Sequence, residues 1–212
     1  CNERCLHCGS RCGEVKSELL SVETYKRFLD KIKADFGTEG LQICVTGGEP
    51  LLRPEFFEIM GYAHALGFHW GMTSNGTLID ESVAKKLQEC GMSTISVSID
   101  GLPETHDWFR QTPGGYEAAM KGVEALIANG SFQHVQITTV VHRKNIGELD
   151  ALYRVFEDVD IAVGAFGNSA CQPVFFPCAV SFGSTVEDGF PASGGTGLFG
   201  SWNCFHYRCS CN

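Results

Sequence analysis

Three cysteines open the chain, Cys1, Cys5 and Cys8, in a C-x3-C-x2-C spacing, with Cys12 shortly behind them. Thiolates this close in sequence can converge on a soft metal centre without a long loop having to close first. Soft sulfur donors favour iron–sulfur clusters, zinc or Cu(I). A structural zinc takes four ligands, and Cys12 would complete the set. A cubane takes one ligand per iron, most often four cysteines, so three alone leave one iron open. A third reading makes the cysteines small buried hydrophobes. The spacing by itself leaves all three standing.

The next stretch able to do chemistry is Gly47-Gly48-Glu49-Pro50. Paired glycines let backbone N–H and C=O groups approach a ligand closely, or turn the chain tightly. Two further polar stretches, Thr73-Ser74-Asn75-Gly76 and Ser98-Ile99-Asp100-Gly101, each follow an apolar run. Arg110 lies in what reads as a loop over residues 101–114, and its planar fork suits a carboxylate. His142 reads as a rim residue and the other histidines as surface or satisfied polar groups. Cys44 and Cys90 sit in apolar, periodic segments and read as core.

Periodicity supplies the elements that must position these residues. Ser21 is a candidate N-cap for a helix in which Val22, Tyr25, Phe28, Leu29, Ile32 and Phe36 recur at helical spacing. A strand over 41–46 then runs into the double glycine. Pro54 is placed to open the next helix at its first position, with Phe57, Met60 and Leu66 inward. The unit repeats: strand 68–73, Asp80 capping a helix with Val83 and Leu87, and strand 94–99 alternating Ile95, Val97 and Ile99. A helix over 115–128 with Met120, Val123 and Ile127 inward and a strand over 135–141 follow. Asn145 with Glu148 reads as a capping box before a helix carrying Leu149, Leu152 and Phe156, and 161–163 reads as one more strand. Strand–helix alternation at a pitch of roughly 26 residues implies parallel strands with right-handed crossovers. A partial barrel and a doubly wound open sheet both satisfy it. In either, the polar stretches fall at the strand C-termini, where ligands bind.

Composition narrows the class. The chain has 212 residues, is 43% hydrophobic and 19% charged, and carries a net charge of −9, so it is globular and lacks the basic footprint of a nucleic-acid partner. No apolar run reaches the roughly 18 residues of a membrane span. Of eleven cysteines, four lie in the first twelve residues and five beyond position 170, which is not an even disulfide framework.

Taken together and in order, these motifs resemble the radical S-adenosylmethionine (radical SAM) superfamily. The cysteine triad with His7 before its last member is similar to the family's cluster loop, and Gly47-Gly48-Glu49-Pro50 to its signature one βα unit later. The resemblance implies a partial (β/α)6-type TIM barrel over 1–160, lacking the strand expected before Cys1. It implies that Cys1, Cys5 and Cys8 hold a [4Fe-4S] cluster whose open iron chelates SAM. Reductive cleavage of SAM there gives a 5′-deoxyadenosyl radical. It further implies SAM contacts from Gly47, Gly48, Glu49, Thr73, Asn75, Ser98, Asp100, Arg110 and Val140, with Cys12 not ligating. An electron donor such as flavodoxin or ferredoxin and a reducing cytoplasm go with this chemistry.

The run from Ser98 to Arg110 and the run from Gln136 to Leu149 resemble the branch that modifies peptides and proteins, which implies a peptide or protein substrate. That branch usually adds a SPASM-type domain with about seven spaced cysteines. Residues 161–212 depart from it: Cys171, Cys178, Cys204, Cys209 and Cys211 differ in count and spacing, lysine is absent, and Gly, Ser, Phe and Cys dominate. This tail reads as a truncation or reading-frame artefact, and auxiliary clusters are not expected.

Overall fold

A computed structural model describes residues 1–13, 19–157, 159 and 161–167 of the chain. Most of the Gly/Ser/Cys-rich tail expected over 161–212 lies outside the described residues.

Five strands form one wholly parallel sheet: β1 (Gln42–Val45), β2 (His69–Ser74), β3 (Met92–Ser98), β4 (His134–Val141) and β5 (Ala162–Gly167). Their spatial order, β1-β2-β3-β4-β5, is their order in sequence. Every crossover therefore steps the same way, as in a barrel wall. A doubly wound sheet would reverse direction at a switch point, so the order decides for the partial barrel.

The strands alternate in chemistry because one face packs on helices. Ile95 and Val97 of β3 and Ile137 of β4 are 0–2% exposed, and they pack with Trp70, Leu87 and Leu126 into one core. Trp70 can be fully buried because its indole N–H donates to the Cys90 carbonyl at 2.7 Å, which meets its polar requirement. The intervening positions are polar. Gln42 donates to Thr94 at 3.0 Å, Ser96 pairs with Thr138, and Ser98 lies opposite Thr138 in the register. Cys44, read as core from its apolar run, is exposed, because it falls on this second face of β1.

Helices begin and end where local chemistry stops the ladder. The Ser21 hydroxyl accepts from Thr24 N at the start of α1 (Val22–Phe36), and the Asp80 carboxylate accepts from Val83 N before α3 (Glu81–Glu89). Pro54 does not open α2 (Phe56–Ala65). Pro50 instead starts a separate 3-10 turn, Pro50–Leu52, capped by Glu49, and the chain turns once more before the helix. The buried side of α2 is Phe56, Ile59, Met60 and Ala63. Phe57 and Leu66 are only partly buried, so the inward face is turned by about one residue from the expected one.

Residues 101–114 are not simply a loop. Pro103–Arg110 form a short helix, α4, which stops where Gln111 takes a left-handed conformation with φ 52°. Pro103 suits the first helical position. Asp107 on α4 accepts from the backbone N–H groups of Gly114 and Tyr116, the second being one of the orphan donors at the start of α5 (Gly115–Asn129). On α5 the inward residues are Ala119, Gly122, Val123 and Leu126, while Ile127 is exposed. The last helix among the described residues, α6 (Leu149–Val155), follows a 3-10 turn at Ile146–Glu148. No helix among the described residues is long and apolar enough to cross a membrane.

Two glycines test how tightly the helices seat. A Cβ at Gly122 would land directly on the Gly76 carbonyl oxygen, whereas one at Gly61 would meet only Cys90 Sγ at 3.7 Å. Alanine is favoured over glycine in a helix by about 1 kcal/mol, so Gly61→Ala is expected to stabilise by up to about that amount. Gly122→Ala is expected to destabilise by about 1–3 kcal/mol, as overpacking against fixed backbone does. Urea unfolding of the two variants, with opposite signs of change, is the check.

Candidate active site

The cysteine loop is seated on three successive strand-end loops. After β1, Gly48 leaves room for Cys1: a Cβ there would stand 3.0 Å from both Cys1 Cβ and Cys1 N. After β2, Asn75 donates from Nδ2 to the Asn2 side-chain carbonyl at 2.8 Å, and Asn2 donates to Thr77 Oγ1 at 2.9 Å. After β3, the N–H groups of Arg4 and Leu6 donate to the Arg110 and Phe109 carbonyls, at 3.3 and 2.9 Å. The loop closes on itself through Cys1 N to the Cys12 carbonyl, 3.2 Å, and Cys8 N to the Cys5 carbonyl, 3.1 Å. His7 stacks on Phe109 at 4.6 Å and Phe109 on His142 at 4.1 Å.

Beneath the loop lies a buried ionic group. Arg110 is 6% exposed and lies between Glu3 at 2% and Asp100 at 0%. Its Nη1 meets Glu3 Oε2 at 2.8 Å, its Nη2 meets Asp100 Oδ2 at 2.7 Å, and its Nε donates to the same Asp100 oxygen at 2.8 Å. Burial pulls against the guanidinium charge, but the two carboxylates outweigh it and hold the Arg110 pKa above its ordinary value. Asp100 Oδ1 accepts from Val140 N at 2.7 Å. The Asp100 main chain is equally engaged: its N–H donates to His106 Nδ1 at 3.0 Å, and its carbonyl accepts from Asn145 Nδ2 at 2.8 Å.

These bonds place the expected cofactor residues. Gly47 takes φ +146° beside open space, a conformation that suits glycine. The Glu49 side chain is 6% exposed and caps the next loop, accepting from Ser74 Oγ at 3.0 Å and Asn75 N at 2.8 Å. Burial raises its pKa, while the donors from Asn75, Leu51 and Ser74 offset part of that rise. Thr73 is exposed, Ser98 and Val140 are half-buried, and Asn75 is buried. Thr73, Ser98, Val140 and the Gly47–Gly48 backbone therefore face open space or lie near it. The side chains of Glu49, Asn75, Asp100 and Arg110 hold neighbouring loops together.

Among the described residues, no three Cys, His, Asp or Glu side chains gather round one ion-sized point. A cubane offers a separate iron to each thiolate, so its donors stand further apart. Cys5, Cys8 and Cys12 are half-buried and Cys1 is exposed, soft thiols on one seated loop whose chemistry fits a cluster. Burial pushes the Cys5 thiol up to about 12, with Arg110 pulling the other way and Glu3 adding to the rise. Ligation there would therefore release a proton.

The sequence model of the Radical SAM superfamily matches residues 1–156. The chain belongs to the radical SAM superfamily. It is 36% identical to an AdoMet-dependent heme synthase of Methanosarcina barkeri, over 91% of this chain and 52% of that protein. It is 32% identical to the mycofactocin maturase MftC of Mycobacterium tuberculosis, over 71% of this chain and 37% of that one. A solved structure of anSMEcpe with bound AdoMet and Kp18Cys peptide superposes with a TM-score of 0.67 at 25% identity, over 79% of this chain and 48% of that chain. The chain thus spans between about two fifths and half of the length of these relatives. The radical SAM family works with SAM and a [4Fe-4S] cluster, and the relatives named here are enzymes.

Sequence reasoning misses Glu3 on this radical SAM rim, reads His106 only as a surface or satisfied polar group, and gives Asn145 and Glu148 a different role. Asn145 and Glu148 do not form a capping box. Asn145 bonds Asp100 O, Val140 O and His142 N, and Glu148 accepts from Leu102 N at 2.9 Å and Thr105 Oγ1 at 2.6 Å. Their partners lie 3–46 positions away, so spacing alone does not reveal them. For Glu3 the one available signal is its place inside the three-cysteine loop, since the resemblance assigns Arg110 to SAM and not to a carboxylate of the chain.

Two outcomes follow from this network. Arg110→Met strands two buried carboxylates and is expected to cost about 3–5 kcal/mol, read as the loss in urea unfolding free energy. His106 is 0% exposed. Burial, helped by the Arg110 cation, lowers its pKa to about 4. Because Nδ1 accepts from Asp100, the neutral ring carries its proton on Nε2. In the unfolded chain the ring binds a proton below about 6.5, whereas in the fold it resists until about 4. Its contribution to stability is therefore complete above pH 6.5 and lost as pH falls from 6.5 towards 4, on the order of 3 kcal/mol in all. Unfolding across that window is expected to show a shallower acid decline in His106→Gln than in the wild type.

Proposed function

We propose that this chain is the SAM-cleaving core of a radical enzyme, with Cys1, Cys5 and Cys8 holding a [4Fe-4S] cluster. The observation that carries this reading is the seating of the cysteine loop against Gly48 on one side and the end of α4 on the other. That position puts the thiols at the C-terminal mouth of a parallel barrel wall, where a ligand binds. Bound there, the cluster and SAM would supply reductive generation of a 5′-deoxyadenosyl radical.

The chain's own residues then have distinct tasks. Gly48 permits the close approach of Cys1, and the Gly47–Glu49 backbone presents polar groups to the SAM amino group. Thr73, Ser98 and Val140 border the adenosine. Glu49, Asn75, Asp100 and Arg110 fix the loops that carry these contacts. The polar second face of the sheet, with Gln42, Thr94, Ser96 and Thr138, would meet the substrate.

A peptide or protein is the substrate class we favour. The maturase relative, the peptide held by anSMEcpe, and the runs Ser98–Arg110 and Gln136–Leu149 support it. An iron porphyrin is the second reading, favoured by the higher identity and longer match to the heme synthase. A reduced electron-transfer protein of the flavodoxin or ferredoxin kind would supply the electron.

Anaerobic reconstitution with iron and sulfide, followed by SAM and dithionite, is the direct test. The wild type is expected to gain a brown chromophore and release 5′-deoxyadenosine, and Cys5→Ala to do neither. A colourless protein holding zinc would overturn the assignment. Stimulation of 5′-deoxyadenosine release by an iron porphyrin rather than by a peptide would decide for the second substrate class.

A further inference from the structure

Glu3 sits between two of the proposed cluster ligands, yet it is almost wholly buried, at 2% exposure. Its Oε2 receives both the Arg110 guanidinium at 2.8 Å and the Cys5 thiol at 3.6 Å. Its Oε1 is buried and has no hydrogen-bond partner among the described residues. A buried carboxylate satisfied on only one oxygen is poor value for stability alone, because the unpaired oxygen keeps its desolvation cost. An apolar residue in its place would bring no such cost, so the carboxylate is explained by what it touches.

What it touches runs in an unbroken line. Cys5 leads to Glu3, Glu3 to Arg110, Arg110 to Asp100, and Asp100 Oδ1 to the backbone N–H of Val140. The line crosses from the cysteine loop to the end of β4, and every side-chain link between Glu3 and Val140 is an ionic or charge-assisted bond of 2.7–2.8 Å. Charge-assisted bonds of this length are the strong, directional ones.

We propose that Glu3 is a positioning residue: it ties the metal-binding loop, through Arg110 and Asp100, to the strand end that borders the cofactor, and it holds the Cys5 thiol in the metal-free protein by a bond given up when that proton leaves on ligation. This rests on the cluster assignment made above. Residues that orient a metal ligand from behind commonly change metal retention by about 10–100-fold when altered. The same tie holds Cys5 in the metal-free protein, so its effect is open to measurement without any cluster.

The test uses the full chain with Glu3→Gln, which keeps the shape and removes the charge, and Glu3→Asp, which keeps the charge and withdraws its reach. In the metal-free protein, the rate of Cys5 alkylation by iodoacetamide is mapped by mass spectrometry against Cys90 as internal reference. Both variants are expected to raise the Cys5 ratio while leaving the far-UV circular dichroism unchanged. In the reconstituted protein, iron loss to a chelator is expected to be about 10-fold or more faster. Combining Glu3→Gln with Arg110→Lys is expected to add little beyond the worse single variant, since both cut one line. Unchanged Cys5 alkylation together with wild-type iron retention in a folded Glu3→Asp protein would overturn the proposal. If the wild type takes up no cluster, the cluster assignment fails, and the alkylation ratio still decides whether Glu3 holds Cys5.

Discussion

One guanidinium held between two buried carboxylates is the constraint from which the rim of this barrel takes its shape. Arg110 arrives at the end of α4, Glu3 from the cysteine loop and Asp100 from the end of β3. None of the three could be buried alone, because an unpaired charge in a low-dielectric interior is costly. Together they force three segments that are distant in sequence to meet at fixed distances. The cysteine loop has no helix or strand of its own to hold it. Its position is set by this ionic contact, by the Asn2 bonds to Asn75 and Thr77, and by two backbone bonds to α4.

Asp100 extends the constraint across the sheet. Both side-chain oxygens, its N–H and its carbonyl all have partners. Those partners lie on α4, on β4 and in the turn after β4, so the ends of two neighbouring strands are held as one piece. Gly101 follows at φ +147°, where a Cβ would meet Glu148 at 2.9 Å and Thr105 at 3.0 Å. The backbone turns there because Glu148 occupies the space a side chain would need, capping Leu102 and Thr105. The apolar core supplies the platform and the polar network supplies the exact heights of the strand-end loops upon it.

The platform was legible in the sequence because it is built from local rules. Ser21 and Asp80 cap helices as their positions predicted, and the alternation of Ile95 and Val97 with polar neighbours marked β3. Sheet order was not legible, since periodicity reports a strand's existence and not its neighbour. The capping-box reading of Asn145 and Glu148 failed for a related reason. Both side chains could satisfy a nearby backbone group, but tertiary partners at Asp100, Leu102 and Thr105 compete for them and win. The helix at Pro103–Arg110 was missed because it is short and its inward residues, Thr105, His106, Phe109 and Arg110, include only one apolar side chain. Polar burial hides a helix from any search for apolar stripes.

That same polar burial explains how the site can be both charged and rigid. An apolar cluster in place of Glu3, Arg110, Asp100, His106 and Asn145 would cost less to desolvate, but dispersion contacts have no preferred direction and would leave the loops free to slide. Hydrogen bonds and ion pairs fix angles as well as distances, and groups set in advance need no reorganisation when a charged ligand arrives. Glu3 Oε1, His106 Nε2, His7 Nδ1 and His142 Nε2, buried with no partner among the described residues, are what such an arrangement leaves over. The fold accepts such unsatisfied atoms there because the alternative, a loop carrying three thiols with nothing to orient it, would have no defined geometry to offer a metal.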